Sequence, residues 1–272
     1  MVRMITCATC AVEYDDTAAD RDCPICVDER QYVPENGQVW TDLSKLAADG
    51  HRVEVLDLRP GLTGLRTDVG IGQTALLVQT PEGNLLWDPP GFIDDAAIAA
   101  VTERGGIRWI AASHPHMFGV QLEWSAAFDD APVHVNAADT DWLGRRGPAI
   151  TEWGDELGLT DGLTLHRIGG HFPGSAVAHW ALGADGRGAL LSGDTIMSNP
   201  DRRTVSFMRS YPNRIPLSGN VVLRIAERVK PLAYEEIWNN FGLAVPTDAA
   251  AAVQDSAQRH AAWVRGDFDH LT

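Results

Sequence analysis

Apolar and polar positions alternate over residues 53–58, the period-two pattern of a half-buried strand. Two apolar runs at 74–79 and 84–87 flank Pro81-Glu82-Gly83 and predict a hairpin. Residues 94–104 carry helical spacing. The largely apolar run 107–112 predicts a buried strand, followed by a helix over 119–128, a strand over 133–136 and a short helix over 139–144. Further strands are predicted at 163–168, 176–181, 189–192 and 235–238. Ser218 is placed to cap a helix running to about Val229, and Thr247 or Asp248 one running to about Arg265. Nearer the start, Thr41 is the cap candidate for a short helix over 41–49, after a linker at 33–37. A β-rich first half followed by strands alternating with helices predicts two sheets packed face to face with helices outside. No internal repeat or low-complexity tract interrupts this order.

Composition narrows the classes. Hydrophobic residues at 44% and charged residues at 22% exclude a mostly disordered chain. Lys plus Arg number 22 and Asp plus Glu 37, a net charge of −15, so a general phosphate-binding surface is excluded and no nucleic-acid partner is expected. Arg145-Arg146 and Arg202-Arg203 read as solvated loop pairs, with a local basic patch as the alternative. No apolar run approaches the roughly 20 residues of a membrane span. No signal-peptide core precedes the first cysteine. The expectation is a cytoplasmic protein without a membrane partner.

All four cysteines, Cys7, Cys10, Cys23 and Cys26, fall in two CxxC pairs near the N-terminus. Two such pairs supply four thiolates, the tetrahedral set of a structural Zn²⁺. Iron and a metal-free dithiol are the alternatives. The segment Cys7-Ala-Thr-Cys10 with Tyr14-Asp15, then Cys23-Pro-Ile-Cys26, resembles a rubredoxin, with fewer residues between the knuckles and with Ala11 and Val27 where a rubredoxin usually carries Gly. A segment of this size cannot build its own core, so bound metal would supply its folding free energy. The predicted organisation is a four-cysteine zinc-ribbon or rubredoxin-like knuckle over 1–36 and a larger domain over 37–272. The knuckle is also a candidate docking element for a protein partner.

Three short motifs follow predicted strand ends: Ser113-His114-Pro115-His116, Gly169-Gly170-His171-Phe172-Pro173-Gly174-Ser175 and Ser192-Gly193-Asp194-Thr195. Histidines at i and i+2 in a loop leaving a strand can share one metal. His179, in the strand after the glycine-rich turn, reads as structural, and His51, His134, His166, His260 and His270 show no ligand spacing.

Together with Leu86-Trp87-Asp88-Pro89, these motifs in this order resemble the metallo-β-lactamase superfamily over about residues 50–245. The resemblance implies a four-layer αββα sandwich with the site at one edge of the sheets. It implies His114, His116, His171 and Asp194 as metal ligands and Asp88 as a support of the HxH loop. The family's second motif continues as HxHxDH, but here those last positions are Phe118 and Gly119. The late family histidine is also missing from Trp238-Asn239-Asn240-Phe241. A mononuclear site follows, with Glu123 as a candidate replacement ligand and Asn239 or Asn240 as a hydrogen-bond donor to bound water or substrate. Arg209 is a candidate for pairing with an anionic substrate group, and Tyr211 a candidate proton or hydrogen-bond donor. The leading function is a metal-dependent hydrolase in which a catalytic Zn²⁺ activates water against an ester, lactone, thioester or amide, with Asp194 as ligand or base. Two alternatives stay open: a mononuclear iron dioxygenase using a two-His-one-carboxylate set, and a non-catalytic binding module.

Overall fold

The computed structural model describes residues 3–272. The chain forms two compact units, the first ending at Trp153 and the second running from Gly154 to Thr272.

The first unit opens with a small antiparallel sheet of β1 (Met4–Cys7), β2 (Glu13–Asp15) and β3 (Trp40–Thr41), with β1 in the middle. A one-turn helix, Pro24–Val27, starts directly after Cys23. Pro at the first helical position costs no hydrogen bond, because that N–H has no partner within a helix.

The larger sheet of this unit runs β10-β9-β8-β7-β6-β5-β4. Its strands are β4 (Val53–Arg59), β5 (Leu62–Thr67), β6 (Thr74–Val78), β7 (Leu85–Trp87), β8 (Trp109–Ala111), β9 (Val133–Asn136) and β10 (Ile150–Trp153). β4 to β7 form an antiparallel meander, and β7 to β10 are parallel. The apolar runs at β6 and β7 are buried along their whole length, as strands covered on both faces must be.

β5 is a strand that the polar pattern of Thr63, Gly64, Arg66 and Thr67 conceals. It forms because β4 and β6 supply backbone partners on both sides, while Leu62 and Leu65 are buried. The cap expected at Thr41 lies one residue later. Thr41 is taken by β3, paired with Thr6, and Asp42 accepts the Lys45 N–H to start the helix Leu43–Ala48. Asp94 caps Asp95–Glu103 through the Ala97 N–H.

One apolar cluster unites this unit. Ile5, Val12, Tyr14 and Ile25 of the cysteine segment are buried together with Leu65, Leu77, Ile110 and Trp124 of the sheet and its helices. The knuckle therefore takes its core from the sheet beside it.

The second unit carries a six-stranded sheet, and its strands are again numbered in chain order. β11 (Glu156–Thr160), β12 (Leu163–Arg167), β13 (Ala176–Trp180) and β14 (Ala189–Leu191) form an antiparallel series. Two short pairs follow, β15 (Met197–Ser198) with β16 (Val205–Ser206), and β17 (Met208–Ser210) with β18 (Ile215–Pro216). β19 (Glu236–Trp238) then joins β14 in parallel, and β20 (Ala244–Val245) closes the edge.

The helix Gly219–Val229 starts at Ser218, whose hydroxyl accepts the Val221 N–H. The helix Ala249–Arg265 starts after Asp248, which sits at φ 56 and whose carboxylate makes no capping bond. Val222, Ile225 and Val229 of the one helix share a core with Val253 and Ala257 of the other. No helix among the described residues is long and apolar enough to cross a membrane.

Candidate metal centres

Cys7, Cys10, Cys23 and Cys26 are buried, and their sulfurs all lie within 4.8 Å of one another. Cys7 Sγ is 3.6 Å from Cys26 Sγ, and Cys10 Sγ is 3.7 Å from Cys23 Sγ. Gln38 Nε2 donates to Cys7 Sγ at 3.2 Å, and the Tyr14 hydroxyl lies 3.3 Å from Cys23 Sγ. Sulfur hydrogen bonds, Cys10's first among them, hold the Cys7 and Cys23 thiols below the usual range. Burial, reinforced by the charge of Cys23, pushes the Tyr14 phenol up, so it stays a hydroxyl donor. Four soft donors in a closed, buried set, with polar hydrogens aimed at two of them, fit a tetrahedral thiolate-bound ion.

The first knuckle turns through Ala11 at φ 61, a conformation that favours glycine. The alanine methyl explains the departure from Gly. It fills a notch over Gly91 and Gly70, where added Cβ atoms would lie only 2.2 Å and 2.5 Å from it.

The HxH loop is built by the parallel pairing of β7 and β8. Trp87 lies opposite Ala111, so the loops following both strands leave the same sheet edge. Asp88 follows β7 and accepts from Ser113 N at 2.6 Å and from Ser113 Oγ at 3.1 Å. Ser113 Oγ lies 2.8 Å from His114 Nδ1. With Nδ1 engaged, His114 offers Nε2 to a metal. His116 follows on a single turn of 3-10 helix, Pro115–Met117, with its ring centroid 5.0 Å from that of His114. Both histidines are buried.

His171 sits in the turn between β12 and β13. Gly169 and Gly170 there have φ 65 and φ 102, and a Cβ at Gly170 would lie 2.6 Å from Ile225 Cδ1. Ser175 closes the turn by accepting the Phe172 N–H at 2.7 Å. His171 Nδ1 lies 3.0 Å from the Met208 carbonyl, which fixes Nδ1 as the protonated nitrogen and offers Nε2. His171 Nε2 is 3.7 Å from Asp194 Oδ2.

Asp194 leaves the end of β14, and Asn240 leaves the end of the parallel β19, so both emerge at one edge. Asn240 Nδ2 donates to Asp194 Oδ1 at 2.9 Å. Burial raises the Asp194 carboxyl above the usual range, against the lowering effects of His171 and the Asn240 amide.

In the first unit His114 and His116 form a buried pair with ring centroids 5.0 Å apart, and in the second His171 and Asp194 form a buried pair with Nε2 and Oδ2 3.7 Å apart. Imidazole and carboxylate donors of this kind, with Nδ1 of two of the histidines already engaged, suit a divalent transition metal.

Glu123 belongs to neither pair. It lies on the helix Gln121–Ala127, and its Oε1 accepts from Arg145 Nη1 at 2.5 Å. Arg145, expected as a solvated cation, also donates to the buried Glu13 at 3.0 Å. Arg209 is half-buried on β17. The Tyr211 hydroxyl lies 3.1 Å from the Asp194 carbonyl oxygen and 3.2 Å from that of Ser206, so its proton is committed to main-chain acceptors. Burial and the Asp194 charge push this phenol well up, which opposes its use as an acid. Asn239 braces its own loop by accepting from the Phe241 and Leu243 N–H groups.

Phe118 and Gly119 stand where the family's second motif carries Asp and His. Phe118 is buried among apolar side chains. Gly119 has φ 52, and any Cβ there would lie 2.2 Å from the Pro89 carbonyl oxygen.

Residues 69–238 match the family described as the metallo-beta-lactamase superfamily, and the chain belongs to it. Over 269 residues the chain is 41% identical to "Uncharacterized protein YmaE" of Bacillus subtilis (strain 168), covering 97% of this chain and 98% of that one. The solved structure of DIM-1 metallo-beta-lactamase superposes with a TM-score of 0.58 at 13% identity, over 76% of this chain and 98% of that one. VMB-1 gives 0.59 at 13%, over 78% and 98%. TTHA1623 in a di-iron-bound form gives 0.50 at 21%, over 67% and 93%. These likenesses show the fold. The metallo-β-lactamase fold expected from the motifs is the fold observed, with the cysteine cluster at its N-terminal end.

Proposed function

We propose that the protein is a metal-dependent hydrolase with one catalytic ion, Zn²⁺, held by His114, His116, His171 and Asp194, and a second, structural Zn²⁺ in the cysteine knuckle. The observation that supports the reading is the two buried donor pairs, His114 with His116 and His171 with Asp194, together with a glycine at 119 that has no room for a side chain. When bound, the ion would lower the pKa of a coordinated water and polarise a substrate carbonyl. Asn240 holds one carboxylate oxygen of Asp194, leaving the other directed at the His171 side.

A cleft of about 500 Å³ in the second unit supports an apolar substrate. Met197, Met208, Tyr211, Phe241 and Leu243 line it, with the exposed Arg214 at its rim. It reaches the metal ligands through two of these residues. Met208 bonds His171 by its carbonyl, and Tyr211 bonds the Asp194 backbone. The substrate class is an ester, lactone, thioester or amide with an apolar acyl or alkyl group in this cleft. Arg214 joins Arg209 as a candidate to meet an anionic end.

Metal content per chain, measured on protein purified without added metal or a histidine tag, tests the reading. Two zinc ions are expected, one lost in His114→Ala/His171→Ala and the other in Cys23→Ser/Cys26→Ser. Hydrolysis of a nitrophenyl ester series is expected to strengthen with acyl length and to vanish with the histidines. Iron lost with the histidines, accompanied by oxygen uptake, replaces hydrolysis with the dioxygenase reading. One metal, lost only with the cysteines, leaves a binding module.

A further inference from the structure

Glu13 stands three residues after Cys10, on β2, and takes no part in either donor set. Its main-chain N–H donates to the Gly119 carbonyl at 3.0 Å. Its Oε1 accepts the Leu122 N–H at 2.7 Å, in the first turn of the helix that follows the HxH loop. Its Oε2 accepts from Arg145, which also holds Glu123 on the same helix. The side chain is only 2% exposed. One residue of the knuckle thus grips the chain three and six positions after His116.

A second contact acts on the other side of the loop. Ala11, the residue after Cys10, seats on Gly91, just past Asp88-Pro89-Pro90. Pro90 accepts the Val120 N–H at 3.2 Å, and Asp88 fixes Ser113. Both walls of the HxH loop therefore rest on the four residues Cys10 to Glu13.

We infer that the cysteine knuckle is the brace of the HxH loop and that Glu13 is the positioning residue transmitting it, so that metal in the knuckle tightens metal binding at the histidines. The inference rests on the reading that both donor sets hold metal. Coupling of this kind is reciprocal: each ion strengthens the other by the same factor. It also gives the closed second-metal position a substitute. Where metallo-β-lactamase relatives have a second ion's ligands at 118 and 119, this chain anchors the same backbone from the knuckle.

The test uses the full chain in zinc competition against a chromophoric chelator, with amide hydrogen exchange as a second readout. Glu13→Ala is expected to keep the thiolate-bound zinc and lower zinc affinity at the histidines at least tenfold. Glu13→Gln, which keeps an acceptor for the Leu122 N–H, is expected to recover most of that loss. Histidine-site affinity unchanged in Glu13→Ala overturns the inference. So does an equal loss at both sites, which marks general destabilisation.

Hydrogen exchange of the wild type distinguishes failure of the brace from failure of the hydrolase reading. Removing the knuckle zinc is expected to speed exchange at Leu122 and Val120 while β13 stays protected. Faster exchange there with no metal at the histidines keeps the brace and discards the hydrolase. Unchanged exchange discards the brace whatever the histidines bind.

Discussion

Gly119 has two independent reasons to be glycine, its positive φ and its contact with the Pro89 carbonyl oxygen. Gly119→Ala is expected to destabilise the protein by about 2–4 kcal/mol, read from urea unfolding. Gly119→His, which restores the family residue in name, is expected to unfold the loop and leave metal content no higher than in the wild type. Asn240 holds Asp194 from the position where the family histidine is missing. Asn240→Ala is expected to lower metal affinity or kcat about 10–100-fold, the usual effect of losing a group that orients a ligand. The candidate ligands could be picked out in the sequence because each lies in a short local motif at a strand end. The role of Asn240 was only half legible, because its partner is 46 residues away and the contact exists only through the parallel pairing of β14 and β19. Glu123 shows the converse. Helical spacing made it a candidate ligand, but Arg145, brought in by the fold, claims its carboxylate.

Among elements, those whose ends are signalled locally were readable. Asp94 and Ser218 each cap a helix by bonding an N–H three residues ahead. The helix Gln121–Ala127 carries no such residue, since its first turn is satisfied by Glu13, 109 positions earlier. Nothing near Val120 announces that. The arrangement also leaves a pH signature. Burial pushes the Glu13 carboxyl up to about 7, although the Leu122 N–H and Arg145 act to lower it. A carboxyl whose folded pKa is raised stabilises the fold fully below its unfolded value of about 4.5, and that stability is lost as pH rises through 7. The wild type is therefore expected to lose about 3 kcal/mol between pH 4.5 and 7 relative to Glu13→Gln, measured as the difference of their urea midpoints. Taking this difference cancels every titration that both proteins share.

On the scale of the whole molecule, the order of motifs pointed to the family by itself, because that family distributes its ligands over the ends of successive strands. The extent of the knuckle's integration was not legible. Ile5, Val12, Tyr14 and Ile25 look too few to make a core, and they are, until Leu65, Ile110 and Trp124 join them. With metal in the knuckle as proposed, chelation is accordingly expected to lower the melting temperature of the first unit's sheet along with the cysteine segment, in one transition.

The shared cluster has a further consequence for how the chain is made. The ribosome delivers Cys7 to Cys26 well before Trp124, and at about 5–20 residues per second that gap lasts on the order of 5–20 seconds. Throughout it, four thiols that end up sealed are open to solvent and to oxidants. Ion capture during synthesis would protect them, and a nascent chain denied a metal ion would reach Trp124 with its cysteines already exposed to disulfide exchange.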